Sequence, residues 1–597
     1  MSPERGISNF DPSELFSSPL HAHVAQIPGD ACSIHIAGQI AVDKEGRTPS
    51  TYPEQIQLAL SNLDACLRKA GSTRKDIVKL TYYIVNYDPK DRPDADLLAK
   101  SLDGHRPATT LVPVPCLVWP KILFQIEAIV AVRDPQLPSP FPSFGGAAQR
   151  TIQAIVIGAG LSGLQAAHDL QKAGVSCLVL EARDRVGGKT WSMPCANGRA
   201  VVDLGAAWIN DVNQPRALAL ARKLGLEMVE QNIKGDCMME GVGPFAYGGI
   251  PKLSENEQED FVKVRDNMEK LCHTIDVQRP WKSQPKFANM SVHDLVVSQG
   301  AGPSVRKAAS EVSALYFLLY CKAGGGFLQM RSDGKGGGQH LRFRKGTQSL
   351  SHGLVNALSP LTVRLSQAVL KIEQAATGDR CVVTTQRGDK FPCMKVIISV
   401  PTPLYNEIEF SPPLSTDKRE LTSNTSLGCY GKYILVYSQP WWREQGFCGL
   451  AHSLEDGPVT LTRDTSSDID DVYSLTCFIV GPSGRRLWQS PAVERHTRVL
   501  RHIDAIFDQK CPEPLEIFES NWEKEKYSLG APCPVVPSKC LSILDRDRWG
   551  PEGNIHFIGT ETSPVWKGYM EGALTSGARG ADEVTTALLA SNINAKL

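Results

Sequence analysis

Ala154-Ile-Val-Ile-Gly-Ala-Gly-Leu-Ser-Gly163 decides how the larger part of this chain folds. Ile155, Val156 and Ile157 form an apolar β run that breaks at Gly158, turns through Gly160 and enters a helical pattern at Gly163 and Leu164. Strand, glycine turn and helix in that order make a dinucleotide phosphate cradle. Gly158 permits the tight turn, Gly160 lets backbone approach a pyrophosphate, and Gly163 lets the helix lie close on the strand. Ser162 sits in the first turn of that helix, whose N-terminus faces the anion. A second apolar run, Cys177-Leu-Val-Leu180, ends in Glu181, a carboxylate placed to bind the ribose hydroxyls of an adenosine. A glycine triplet alone also occurs in turns that bind nothing; the strand, helix and acid around this one favour a bound dinucleotide and an α/β fold.

The continuation, Glu181-Ala-Arg-Asp-Arg-Val-Gly-Gly-Lys-Thr190, resembles the flavin amine oxidase family, whose equivalent stretch lines the pyrophosphate of FAD. The resemblance implies FAD contacts for Arg183, Gly188 and Lys189. Lys189 stands where the family more often has Arg, which keeps the charge and loses the bidentate fork. Val202-Asp-Leu-Gly-Ala-Ala-Trp-Ile209 is similar to the family segment that runs beside the flavin, bringing Ala207 and Trp208 there. Val369 matches the position facing the adenine, and Val396-Ile-Ile-Ser-Val-Pro401 reads as a buried strand of the nucleotide core. Asn521-Trp-Glu-Lys-Glu-Lys-Tyr-Ser-Leu-Gly-Ala531 resembles the block in which Trp522 borders the isoalloxazine. Members that bond their flavin carry a cysteine where this chain has Ala531, and Cys533 beyond Pro532 is out of register, so the expected FAD is noncovalent.

Gly559-Thr-Glu-Thr-Ser-Pro-Val-Trp-Lys-Gly-Tyr-Met-Glu-Gly572 supplies the other end of the same site. By resemblance Thr560, Glu561, Gly568 and Met570 lie near the flavin and pyrophosphate, and Tyr569 is one half of an aromatic cage around the amine. Its other half is replaced by Pro532. A ring face orients the amine nitrogen toward the flavin. In Leu427-Gly-Cys-Tyr-Gly-Lys-Tyr-Ile-Leu-Val-Tyr437, Lys432 matches the family lysine that holds a water against flavin N5, and a lysine within an apolar strand is costly to bury without a purpose. Lys432 and Tyr569 are therefore the expected catalytic residues. No nucleophilic triad or metal-ligand cluster is identifiable in this half, and the expected chemistry needs none.

The chain has 597 residues, too many for one ordinary domain, and its apolar content of 42% can fill more than one core. Its 64 basic and 64 acidic residues cancel, which removes the electrostatic case for nucleic acid or an anionic membrane. Sixteen cysteines at irregular spacing read as reduced thiols rather than a disulfide scaffold. Neither a signal peptide nor a long apolar span is present, so a soluble, unsecreted protein is expected. Ala595-Lys-Leu597 is a conservative variant of the peroxisomal Ser-Lys-Leu address; otherwise the expected location is the cytoplasm.

A proline- and glycine-rich stretch over 134–150 reads as a linker. Ahead of it, Ile34–Ile40 and Ile77–Val85 read as strands and 53–70 as a helix with Ile56, Leu60, Leu63 and Leu67 on one face. With Arg106-Pro-Ala-Thr-Thr-Leu-Val-Pro-Val114 and Leu123-Phe-Gln-Ile-Glu-Ala-Ile-Val-Ala131 this is an α+β pattern that resembles the RidA/YjgF family, including Gln55, Asn62 and Glu127. The deaminating members place an Arg after Pro-Ala to hold an iminoacid carboxylate, and this chain has Thr109. The module is read as a degenerate structural or oligomerising domain, with residual imine handling as the alternative.

The expected architecture is a RidA-like α+β domain (1–133), the linker, and a two-domain flavin amine oxidase (151–597). Its Rossmann-type FAD domain is built from about 151–224, 341–420 and 520–590, interleaved with an α+β substrate domain from about 225–340 and 421–519. The resemblance is closest to aminopolyol amine oxidases of the fumonisin type. It implies oxidative deamination of a primary amine by FAD and O2, giving a carbonyl product, ammonia and hydrogen peroxide, with small amines as partners and a homo-oligomer open. Simple monoamine, polyamine and L-amino acid oxidases are the alternatives, the last with Arg342 or Arg463 as carboxylate binder; a catalytically inert flavin scaffold is the non-enzyme reading.

Overall fold

A computed structural model describes residues 8–10, 21–26, 32–90, 92–132, 152–309, 312–537 and 549–594. The chain divides into two units, Met1–Arg150 and Thr151–Leu597. The expected linker over 134–150 and the Ala595–Leu597 tail lie outside the described residues.

In the first unit four strands pair in the order Cys32–Ile40, Phe124–Val132, Ile77–Val85, Ala108–Val114. The last pair is parallel and the others antiparallel. Helix Tyr52–Lys69 starts at a Thr51/Glu54 capping box with proline in its first turn. Its apolar stripe of Ile56, Leu60, Leu63 and Leu67 is buried in one core with Leu80, Phe124 and Ile126. Each such side chain contributes about 1.5–3 kcal/mol of burial. Gln55 and Asn62 tie loops to this helix. Gln55 Nε2 donates to the Pro49 and Lys121 carbonyls at 3.0 and 2.8 Å, and Asn62 Nδ2 donates to the Ile40 and Val42 carbonyls. Thr109 Oγ1 donates to the Pro107 carbonyl, Arg106 Nη2 to the His21 carbonyl, and Glu127 accepts from the Tyr83 hydroxyl.

The second unit holds two larger sheets. The first has eight strands, ordered Val363–Arg364, Cys177–Leu180, Ile152–Ile157, Lys390–Ile398, Cys381–Thr385, Val369–Gln374, Glu409–Ser411, with Ile555–Phe557 paired to Lys390–Ile398. Ile152–Ile157 lies at its middle, parallel to both neighbours. Helices Leu161–Lys172 and Met570–Asn594 join it in one core, so its central strands are apolar without alternation. The second sheet runs Gly243–Ala246, Asp236–Met239, Phe447–His452, Leu461–Asp464, Tyr473–Val480, Tyr430–Tyr437, Glu516–Asn521. Helices between residues 255 and 331, among them Glu255–His273 and Ala314–Ala323, build a further core. No described helix is long and apolar enough to cross a membrane.

Candidate active site

The turn after Ile152–Ile157 forms a cradle for the reasons its glycines suggest. Gly158 has φ +100°, a conformation an L side chain rarely adopts. A Cβ on Gly163 would collide with the Gly158 carbonyl oxygen, so the first turn of Leu161–Lys172 rests directly on the strand end. Gly160 has open space where its Cβ would be. This turn borders a cavity of about 740 Å³, toward the upper end of the range for small-molecule sites.

Of the residues singled out from the sequence, Gly158, Gly160, Ser162, Glu181, Arg183, Gly188, Lys189, Ala207, Trp208, Val369, Lys432, Trp522, Thr560, Glu561, Gly568, Tyr569 and Met570 all line that one cavity. Gly163 does not; it sits behind the wall as a packing residue. Glu181 Oε2 accepts the Ala159 N–H at 2.7 Å and Oε1 the Arg183 N–H at 2.9 Å, which fixes the carboxylate at the strand end. Arg183 Nη2 donates to Ser528 Oγ, and Lys189 Nζ donates to the Pro532 carbonyl. Burial lowers the Lys189 ammonium to about 8. Ser162 Oγ meets Ser576 Oγ at 2.9 Å, fastening the cradle helix to Met570–Asn594. Gln367 Oε1 is buried on the cavity wall with no hydrogen-bond partner among the described residues. A cradle open at Gly160, an acid at the second strand end and this orphaned acceptor fit an adenine dinucleotide. Ala531 lines the cavity, whereas Cys533 does not and lies 3.2 Å from the Tyr316 hydroxyl, so no described thiol faces it.

Lys432 is 2% exposed. Its Nζ donates to the Asp203 carbonyl at 2.9 Å and the Gly205 carbonyl at 2.6 Å, while Trp522 Nε1 donates to the Leu204 carbonyl between them. The three carbonyls of Asp203-Leu204-Gly205 are thus held by Lys432 from strand Tyr430–Tyr437 and by Trp522 just past the end of Glu516–Asn521, and one of the three ammonium donors is left for the cavity. Burial lowers Lys432 to about 8; Asp203 opposes the shift, and Arg463 and Arg342 reinforce it.

Tyr569 stacks edgewise on Trp566 at 4.8 Å and lies tilted against Tyr320 at 6.1 Å. Burial raises its phenol to about 12, so it presents a neutral ring. Tyr320 and Tyr430 also line the cavity, from helix Ala314–Ala323 and strand Tyr430–Tyr437. Sequence reasoning missed both, together with Met330, Arg331, Gln339, Leu450, His452, Leu461 and Phe478. Strand alternation is the signal that could have found several of them. Tyr430 with Lys432, Leu450 with His452 and Leu461 with Arg463 are spaced by two and share a face. Of the two arginines considered as carboxylate binders, Arg463 lines this cavity. Arg342 does not and donates instead to the Thr465 and Ser466 carbonyls.

Comparison with known proteins accords with this geometry. A family profile described as flavin containing amine oxidoreductase matches residues 161–585, and one described as endoribonuclease L-PSP matches residues 23–132. The chain is 30% identical over 457 residues to amine oxidase [flavin-containing] A of Sus scrofa, covering 73% of this chain and 85% of that protein. It is 32% identical over 459 residues to amine oxidase [flavin-containing] B of Cavia porcellus, covering 73% and 86%. Among solved structures, putrescine oxidase bound to putrescine and cyclohexylamine oxidase from Brevibacterium oxydans each superpose with a TM-score of 0.68 at 25% identity, covering 73% of this chain and 99% of theirs.

Proposed function

The chain belongs to the flavin containing amine oxidoreductase family and is an FAD-dependent amine oxidase with an N-terminal RidA (L-PSP) domain, and from that premise we propose that its substrate is the primary amine of a long-chain aliphatic amine or aminopolyol of the fumonisin type. The balanced reaction is R–CH(R′)–NH2 + O2 + H2O → R–C(=O)–R′ + NH3 + H2O2, the product being an aldehyde where R′ is hydrogen and a ketone otherwise. The observation that carries this reading is the single cavity that joins the glycine cradle to a compartment walled by Tyr320, Tyr430, Tyr569 and apolar side chains.

Bound FAD supplies the two-electron acceptor for oxidising the carbon–nitrogen bond and passes the electrons to O2. Gly158, Gly160 and the first turn of Leu161–Lys172 would hold its pyrophosphate, Glu181 its ribose hydroxyls, and Trp522 and Ala207 the wall beside its ring system. Tyr569 and Tyr320, packed against each other at 6.1 Å between ring centres, offer a joint aromatic wall along which the amine chain is oriented. The third Nζ donor of Lys432 holds a water inside the cavity. The ammonium form of an amine is disfavoured beside Lys432 and Arg463, so the substrate binds as the neutral amine.

Anaerobic titration of the holoenzyme with a long-chain amino alcohol, benzylamine, spermine and L-leucine in turn tests the reading. Bleaching of the oxidised-flavin band by the amino alcohol at the lowest concentration is expected. Bleaching by L-leucine alone would replace it with an amino acid oxidase.

A further inference from the structure

The compartment facing the second sheet is not uniformly apolar. Residues His452, Leu461, Phe478 and Lys432 stand in one row across four strands, each in register with the next. Arg463 lies two residues beyond Leu461 on the same face, roughly 7 Å along the strand. Its guanidinium carbon is 5.5 Å from the centre of the Trp208 ring, and Lys432 Nζ is 5.3 Å from that same centre. A short aliphatic chain whose amine sits near Lys432 therefore reaches Arg463.

Arg463 is anchored from behind. Its Nη2 is 3.0 Å from Asp333 Oδ1; the two side chains are 12% and 3% exposed, and Asp333 itself does not line the cavity. Arg463 Nε has no hydrogen-bond partner among the described residues. Arg331, from the short helix Phe327–Arg331, also lines the cavity, and no carboxylate lies within ion-pair distance of it among the described residues. The acidic residues that do line the cavity, Glu181, Glu407 and Glu561, come from the nucleotide side. Glu181 and Glu561 are engaged there by the backbone N–H groups of Ala159, Arg183 and Thr402. Two guanidiniums against one buried carboxylate leave this end of the compartment with an excess positive charge. It also holds one donor, Arg463 Nε, that no acceptor among the described residues satisfies, an arrangement that is costly unless a ligand completes it.

We propose that Arg463, held by Asp333, and Arg331 are specificity-determining residues that bind an oxygen acceptor, hydroxyl or carboxylate, carried on the substrate chain away from its amine, and that repel a second ammonium group. The assignment rests on the amine oxidase reading above and adds to it which residues choose among amines. It also separates this site from one built for diamines, where a second cation must find a carboxylate.

The test is steady-state and anaerobic kinetics of the holoenzyme with hexylamine, 6-aminohexanol, 6-aminohexanoate and hexane-1,6-diamine, which share one chain length. For the unaltered enzyme, kcat/KM is expected to be about tenfold higher for an oxygen-bearing amine than for hexylamine, and about tenfold lower for the diamine. The alcohol and the acid tell which oxygen group is read. In Arg331→Leu, and in the double variant Arg463→Leu/Asp333→Leu, which removes both members of the buried pair together, these ratios collapse toward one, mainly through KM. A diamine oxidised as well as hexylamine, or ratios unchanged in both variants, overturns the assignment. Failure of all four amines to reduce the flavin overturns the substrate reading beneath it and takes the assignment down by a different observable.

Discussion

Lys432 is the residue at which structure and chemistry are hardest to separate. Its two hydrogen bonds to the Asp203 and Gly205 carbonyls repay part of the cost of burying an ammonium, and its third donor serves the cavity. Lys432→Met keeps the bulk and removes all three donors. Flavin binding is expected to survive while turnover falls about 100-fold, the scale of a single well-placed polar catalytic group; stopped-flow reduction and reoxidation show which half-reaction is slowed. A stability signature accompanies this. Lys432 titrates near 8 in the folded protein and near 10.4 when unfolded. Between those values the unfolded state binds more protons, so stability rises with pH. The burial cost is fully present below about 8 and is relieved toward 10.4. Relative to Lys432→Met, the unaltered protein should gain up to about 3 kcal/mol across that window. Paired denaturant titrations at neutral and alkaline pH measure the stability of the unaltered protein minus that of the variant; a difference that fails to rise with pH contradicts the burial argument.

At the scale of elements, strand Leu461–Asp464 shows how one β run serves two purposes. Leu461 and Arg463 face the cavity, while Thr462 and Asp464 point the other way. Asp464 accepts from Trp442 Nε1 at 3.0 Å and Arg443 Nε at 2.5 Å, with its own backbone paired to Leu475 in the adjacent strand. Asp464→Ala removes one of the two carboxylates that hold the Arg443 guanidinium, Asp468 remaining, and leaves the buried Trp442 indole N–H without its acceptor; it should destabilise the protein by about 1–3 kcal/mol, read from the denaturant midpoint of the holoenzyme. Because the side chain faces away from the cavity, the ratios among amine substrates should not move; a change in them would show that the two faces are coupled. The same strand explains the limits of the sequence reading. Polar residues on both faces erase the alternation that marks a half-buried strand, so Arg463 was legible only as a candidate cation. Helix Ala314–Ala323 hides Tyr320 for the opposite reason: it is buried nearly all round and carries no amphipathic period to say which side meets the cavity. The cradle was legible because backbone geometry, not packing, dictates its residues. Gly158 and Gly163 each answer a steric demand that no larger side chain meets, and Gly160 leaves open the space a pyrophosphate would approach. The helix Tyr52–Lys69 was legible too, through its capping box and regular stripe of Ile56, Leu60, Leu63 and Leu67.

At the scale of the whole molecule, the two units have unequal claims on catalysis. Every described residue that lines the cavity falls between Ile157 and Ala573, inside the second unit. The first unit carries its own core of Ile56, Leu63, Leu80, Phe124 and Ile126, and its own four-stranded sheet. Each unit therefore has the apolar interior that independent folding requires. Neither the cradle, the Lys432 clamp nor the tyrosine wall draws a residue from the RidA domain. A fragment comprising Thr151–Leu597 is accordingly expected to bind FAD, to show the same oxidised-flavin spectrum, and to be reduced anaerobically by amines within about twofold of the rate of the full chain. Removing Met1–Arg150 should then change assembly state or the fate of the imine product rather than the oxidation itself, and sedimentation of chain and fragment side by side reports the first of these. A fragment that loses its flavin, or keeps it but reacts far more slowly, would mean that the RidA domain supports the cavity from outside, and the catalytic unit would have to be redrawn as the whole chain.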